Sequence, residues 1–335
     1  MPLLNSANTF TSSEMTDAVN KLPLAPMRFA SMFESKGVRT TQVAVELKHG
    51  RITLIPDQER GAPPEPLAGR GQKREIKFLT TTHLPQADTL SPEDLQDVRA
   101  FGSTELVTPA SVINDKMAVL KRNLEMTREY HRLGAVKGIV LDADGKTVLH
   151  NLFTTFGVKQ LKVDVTFPTT AADDANPVLA SIVGAKRKAE QAMQGNPYTH
   201  FEAIIGSNFY DRLTGHALVR KYFEDWLARR QDFGDNDYRR RGFTYGSVTF
   251  YEASEVVGGL QLVDPDKGHL YPVGPGIWKT WHAPADWMET VNTVGLPFYA
   301  RMDEKPRSRG YDLEVQSNPL TLCLYPEALV ELTAA

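Results

Sequence analysis

The chain has a single cysteine, Cys323, among its 335 residues. One thiol excludes an intrachain disulfide and any cysteine-rich zinc site. No apolar run comes near the roughly 18 residues that cross a bilayer, so no membrane partner is expected. The first basic residue is Lys21, and the opening segment does not read as a secretory signal. A basic surplus is missing too. Lys and Arg number 38 against 41 Asp and Glu, a formal net of −3, whereas a dedicated nucleic-acid binder carries a clear positive excess. The eight histidines are scattered, with no HxxxH or HxH pair to hold a metal. Internal repeats and low-complexity tracts are absent. What is there is ordinary: 41% hydrophobic and 24% charged residues, which excludes a wholly disordered, collagen-like or coiled-coil chain. A compact chain of this length buries about three quarters of its unfolded surface and needs no disulfide or metal for stability.

Residues 1–35 carry Pro2, Pro23 and Pro26 and only short apolar islands. Residues 1–20 are expected to fray. The island of Met27, Phe29, Met32 and Phe33 is apolar enough to need a partner surface. Val43, Val45 and Leu47 then alternate with polar residues, and Ile52, Leu54 and Ile55 follow a break at His49-Gly50, which predicts a hairpin or two short strands. Residues 57–72 hold Gly61, Pro63, Pro64, Pro66, Gly69 and Gly71 with almost no core-forming side chain, the mark of a long functional loop. Residues 36–84 carry nine Lys or Arg against five acids, and residues 85–107 carry five acids against one arginine. Adjacent segments of opposite sign attract each other, within a chain or between copies.

The strongest single element is a helix expected over 108–133. Thr108 is a good N-cap, Pro109 sits at the favoured first position and Gly134 supplies a stop. Ile113, Met117, Leu120 and Leu124 form its apolar stripe, with Val112, Val119, Met126 and Tyr130 expected to widen it. At 1.5 Å per residue it is about 39 Å long, a beam rather than a core helix. A hairpin follows around Asp144-Gly145, a sequence suited to a tight two-residue turn. A mixed α/β region comes next. It has a strand through Val163 and Val165, a helix over 177–193, a strand at 201–205, a helix capped by Ser207 and running toward Trp226, and strands at 243–252 and 261–263. Strand patterns close the chain: Tyr311, Leu313 and Val315, then Leu320, Leu322 and Leu324, then a last one after Pro326.

No motif carries chemistry. Gly145-Lys146-Thr147 lacks the glycine that a phosphate loop needs five residues earlier, where Val140 stands. As a calcium loop opening at Asp142, the same run has Thr147 and Phe153 where glycine and glutamate belong. Gly206-Ser207-Asn208 reads as a plain helix cap and lacks the second glycine of a nucleophile elbow. His282, Asp286 and Glu289 cluster among aromatics without a nucleophile, which favours a packed surface loop over general acid–base work. Residues 220–241 hold seven Lys or Arg against five acids, a solvated face rather than a nucleic-acid patch.

Several stretches resemble the lambda-type major capsid protein family of tailed phages, capsid protein E. They are Arg28-Phe29 with Phe33-Glu34, the run from Lys137 to Asp142, Asn151-Leu152-Phe153 with Phe156-Gly157, and Ser207-Asn208-Phe209-Tyr210. Further along come Tyr271-Pro272-Val273-Gly274, Ala283-Pro284-Ala285-Asp286, Gly295-Leu296-Pro297 and Gln316-Ser317-Asn318-Pro319-Leu320. The resemblance covers about residues 28–330 and rests on order and spacing rather than any one block. It implies an α+β, HK97-like capsid fold. Residues 1–35 would be an N-terminal arm, 36–84 an extended two-stranded loop, and 85–158 a peripheral domain with the 108–133 spine helix. Residues 159–305 would be an axial domain, and 306–335 strands returning to the peripheral one. The implied function is structural: hexamers and pentamers tiling the icosahedral head of a tailed bacteriophage around double-stranded DNA. No catalytic residue, metal or cofactor is implied. The implied partners are other copies, a portal protein, a scaffold, a small decoration protein, and packaged DNA through non-specific contact.

Candidate inter-subunit residues are Phe29 and Phe33 in the arm, Arg60, Arg70, Lys73 and Arg74 in the basic loop, and Asp94 and Asp97 in the acidic segment of an adjacent copy. Two other readings stay open. An enzyme needs a convergent pocket around His282 and Asp286, and a nucleic-acid module needs Arg239, Arg240 and Arg241 on one face with aromatics.

Overall fold

A computed structural model describes residues 11–22, 27–48, 74–96, 108–168, 176–228 and 242–335. The chain divides into two compact units, one of residues 1–44, 78–132 and 279–321, the other of 45–77, 133–278 and 322–335.

In the first unit, helix α1 (Ser12–Lys21) occupies a stretch expected to fray. Its start is a reciprocal box: the Thr11 hydroxyl accepts from the Glu14 amide at 3.2 Å, and the Thr11 amide donates to Glu14 Oε2 at 2.8 Å. Met15 and Val19, one turn apart, face inward. The sequence reading missed α1 because only two core side chains mark it.

Helix α2 runs Pro109–Lys137, four residues beyond the expected end. Gly134 does not stop it. It sits where a side chain would press on the Val140 backbone, 2.8 Å from where its β-carbon would lie, so the glycine serves close packing. The stop is Gly138, at φ +84°, a left-handed conformation that favours glycine. Ile113, Met117, Leu120 and Leu124 are buried as the stripe predicts, together with Met15, Val19, Leu90, Phe298, Ala300, Leu313 and Val315. Val119 and Met126, expected to widen that stripe, are exposed. Six residues past Ile113 is 600° of helix, which turns Val119 away from the core.

The core is closed by a three-stranded antiparallel sheet in the order Tyr299–Glu304, Tyr311–Ser317, Leu84–Leu90. A second sheet has the order Glu34–Gly37, Trp278–His282, Pro319–Cys323, its first two strands parallel. The strand Gln42–Lys48 pairs with Arg74–Thr80 in a two-stranded ribbon. The expected partner segment through Ile55, and the glycine- and proline-rich stretch after it, lie outside the described residues.

The second unit is built on a six-stranded mixed sheet. Its order is Leu161–Val165, Val330–Ala334, Lys267–Val273, His200–Ile205, Val248–Glu252, Phe243–Tyr245. The final strand is parallel to Leu161–Val165 and antiparallel to Lys267–Val273, so it belongs to this sheet and not with the strands Tyr311–Ser317 and Leu84–Leu90. Residues 279–305, expected with 159–278, fall in the first unit. Helix α3 (Leu152–Phe156) is capped by Asn151, whose side chain accepts the Thr154 amide. Helix α4 (Pro177–Met193) packs Val178, Ile182, Ala185 and Ala189 against Phe201, Ala203, Ile205, Val248 and Phe250. The helix expected to run unbroken to Trp226 is two, α5 (Ser207–Gly215) and α6 (Ala217–Ala228). His216, extended at ψ 134°, bends the chain between them, and the N-cap of α5 is Gly206 rather than Ser207. The 139–151 hairpin turns through a wider loop than the two-residue turn expected, its end bonded from the Asp142 amide to the Thr147 carbonyl. Asp144 accepts from the Lys146 and Thr147 amides and the Thr147 hydroxyl, and these hydrogen bonds draw its pKa down to about 2.

Candidate assembly surfaces

The residues with catalytic potential do not converge. His282 is buried on the Trp278–His282 strand, where its Nε2 shares a 2.7 Å hydrogen bond with Ser35 Oγ. Burial, and then the charges of Arg128 and Arg132, hold its pKa down at about 3, so it is neutral across the range where histidine transfers protons. The Asp286 carboxylate instead accepts from Gln316 Nε2 at 2.8 Å and stands 3.7 Å from His83 Nε2. Arg220 pairs with Glu224 at 2.9 Å on α6, and Arg239, Arg240 and Arg241 lie outside the described residues. No three His, Cys, Asp or Glu among the described residues are grouped to hold a metal. No helix of the described residues is long and apolar enough to cross a membrane.

Phe29 and Phe33, expected to dock on other copies, are 4% and 6% exposed within their own chain. The Phe29 amide donates to Glu129 Oε1 at 2.6 Å, tying this segment to α2. They are core residues here and offer no bare surface. Their partner was invisible in sequence because it lies 100 residues away. Arg60, Arg70, Lys73 and Asp97 lie outside the described residues, as does the side chain of Arg74. Asp94 accepts from the Ser91 amide at 2.8 Å, a bond that lowers its pKa, and lies 3.9 Å from Lys116 Nζ. Lys116 also bonds Asp88 at 3.1 Å. The acidic segment thus already has one cation from its own chain.

The exposed apolar surface that sequence reasoning did not single out is concentrated in a few places. On the strand Arg74–Thr80, Phe78 is 69% exposed, and Ile76, two residues earlier on the same face, is exposed as well. On α2, Val119 and Met126 are two turns apart on the face that also carries exposed Asp115 and Arg122. The third place is the segment after Trp287, where Met288 is 90% exposed and Val291, Val294 and Leu296 follow it outward. This last segment is held from within. The Gly295 amide donates to the Val38 carbonyl at 2.8 Å, and the Leu296 amide donates to the Tyr299 hydroxyl at 2.9 Å. The loop thus turns four large apolar side chains outward while its backbone is anchored within the chain.

Comparison with known proteins agrees with a shell subunit. The family model of phage major capsid protein E matches residues 11–334. The chain is 25% identical to the major capsid protein of Pseudomonas phage KPP10, over 100% of this chain and 99% of that one. It is also 25% identical to the major capsid protein of Salmonella phage Felix O1, over 99% and 98%. Among solved structures, a protein assigned as the capsid protein of a prophage of E. coli CFT073 superposes with a TM-score of 0.58, at 11% identity over 98% of this chain and 99% of that one. The procapsid of satellite phage P4 matches with a TM-score of 0.50, at 10% identity over 95% and 96%. The α+β architecture is accordingly the HK97-like capsid fold. The chain belongs to the phage major capsid protein E family.

Proposed function

We propose that this chain is the repeating subunit of the icosahedral head of a tailed phage, arranged as hexamers and pentamers around packaged double-stranded DNA. The observation that carries this reading is the anchored, outward-facing apolar loop from Met288 to Leu296, in a chain matched by the capsid family over nearly its whole length. A protein that works alone rarely keeps such a surface bare. Repeated around a shell, it becomes buried contact.

On this reading the unit holding most of α2 is the peripheral domain, and the unit built on the six-stranded sheet is the axial one. Residues 36–84 are the extended loop, whose described base is the ribbon of Gln42–Lys48 and Arg74–Thr80. Its basic side chains at Arg60, Arg70, Lys73 and Arg74 meet acids of an adjacent copy, Asp94 and Asp97 among them. A portal protein occupies one vertex, a scaffold guides closure, a small decoration protein binds the finished shell, and DNA is contacted without sequence preference. The chain turns over no substrate, and its work is contact and shape.

Sedimentation and electron microscopy of the purified chain test this. Capsomer rings or closed shells are the expected result. A strictly monomeric species at high concentration and physiological salt overturns it.

A further inference from the structure

Inside the first unit is a cavity of about 220 Å³, lined by side chains of α1, the 27–35 segment, α2, the strand at Thr280 and the Pro297-Phe298 turn into the next strand. That volume is many times the roughly 10–15 Å³ that holds a single water. Its wall is unusually charged for an interior: Lys121, Glu125, Arg128 and Arg132 all contribute.

The charges in and beside the wall do not balance. Lys121 Nζ lies 3.6 Å from Glu125 Oε1 and donates to the Val19 and Leu22 carbonyls at 2.9 and 2.7 Å. Arg132 Nη1 is bonded to Glu129 Oε2 at 2.9 Å. Three cations against two carboxylates leave one positive charge over. Arg128 feels Glu125 and Glu129 but forms an ion pair with neither, so it is the cation left without an anionic contact partner. Arg128 is 7% exposed, its Nε lacks a hydrogen-bond partner, and no ion pair is formed by it among the described residues. Its guanidinium carbon sits 4.6 Å from the centroid of the Phe298 ring. That stacking occupies a face and leaves the buried Nε–H without a partner.

Burying a guanidinium without an anion is costly, because the hydration given up is not replaced. A planar fork of N–H groups matches a carboxylate or phosphate oxygen pair. We infer that this cavity is a binding site for a small free oxyanion of the phosphate class, held by the Arg128 guanidinium. Burial and the neighbouring Arg132 charge bring the Arg128 pKa down to about 9 against the opposing pull of Glu125 and Glu129, and an anion in the cavity would reverse that shift. The site joins α1 and the 27–35 segment to α2, so its occupancy stabilises the attachment of the N-terminal region. The inference does not depend on shell formation and is tested on the full chain in whatever assembly state it is purified.

Thermal unfolding is followed with inorganic phosphate against chloride at matched ionic strength. The expected result is a rise of about 2 °C or more that grows with the logarithm of phosphate concentration and is lost in Arg128→Gln. No phosphate-specific rise, or an undiminished rise in folded Arg128→Gln, overturns the inference. Should that variant not fold, a high-resolution map of the wild-type chain in phosphate decides. Tetrahedral density within hydrogen-bond distance of Arg128 upholds the site; water-sized peaks alone, or density continuous with a side chain of another copy, overturn it.

Discussion

The hydroxyl of Thr16 stands in for a neighbouring strand at Ala300. Its Oγ1 accepts the Ala300 amide at 3.1 Å and donates to the Ala300 carbonyl at 3.3 Å. The strand Tyr299–Glu304 is an edge of its sheet, so these backbone groups have no strand partner on that side. Asn20 Nδ2 extends the same service to the Phe298 carbonyl at 2.9 Å. Helix α1 therefore shields an edge that would otherwise pair with another chain. Thr16→Val keeps the shape and leaves two buried backbone groups unsatisfied, at a cost of about 1–3 kcal/mol. Denaturant unfolding should show that loss, and Thr16→Ser should recover most of it.

Phe29 and Phe78 illustrate opposite fates of the same side chain. Phe29 is buried and Phe78 is largely exposed. Phe29→Ala should destabilise the chain by about 3–5 kcal/mol through the cavity it leaves. Phe78→Ser should change unfolding by less than about 0.5 kcal/mol, yet lower the yield of shells. Calorimetry of the unassembled chain beside particle counts separates the two effects. A folding defect in Phe78→Ser places that ring inside its own chain.

How much of this was legible in the sequence depended on range. The α2 stripe of Ile113, Met117, Leu120 and Leu124 could be read because helical periodicity is local. Strand alternation at Leu313 and Val315 was legible for the same reason. The end of α2 was misread because glycine at 134 looks identical to a cap until the approach of Val140 is seen. The partner of Phe29, the exposure of Met288 and the burial of Lys121 and Arg128 are set by segments far apart in the chain. Charged residues on a helix read as solvated by default, so nothing local marks Arg128 as interior. The family resemblance supplied what periodicity did not, the fold and the role, but of the cavity it touched only Phe33 and Pro297 and none of the charged side chains.

Two buried histidines make stability depend on pH. His282 in the first unit and His269 in the second are each held near pKa 3, chiefly by burial; Arg128 and Arg132 add to this at His282, and Lys137 and Lys267 at His269. In the unfolded chain both titrate near 6.5. Between those values the unfolded state binds more protons, so stability falls as pH drops from about 6.5 toward 3 and is level on their account above it. At pH 4.5 the loss is on the order of a few kcal/mol for the pair. Denaturant midpoints measured from pH 4.5 to 8 should show this slope, and His282→Asn should flatten part of it. A wild-type midpoint constant across that range refutes the assignment.

Lys116 already lies 3.1 Å from Asp88 and 3.9 Å from Asp94, so loop cations arriving from an adjacent copy would add to a partly neutralised surface. Exposed single pairs are worth only about 0–1 kcal/mol, but each recurs at every subunit of a shell. Changing Arg70, Lys73 and Arg74 together to Gln should leave unfolding of the unassembled chain within about 0.5 kcal/mol of wild type and lower the yield of shells. Salt screens such pairs, with a Debye length of about 8 Å at physiological strength. Wild-type assembly should accordingly weaken with added salt, and the triple variant, having lost those charges, should respond less. Lys116→Gln should act in the opposite sense by freeing Asp88 and Asp94 for the loop, raising assembly at low salt. Light scattering across a salt series reads all three proteins together. If the triple variant assembles like wild type at every salt concentration, the loop charges are solvated and make no contact between copies. If it unfolds instead, the loop packs within its own chain.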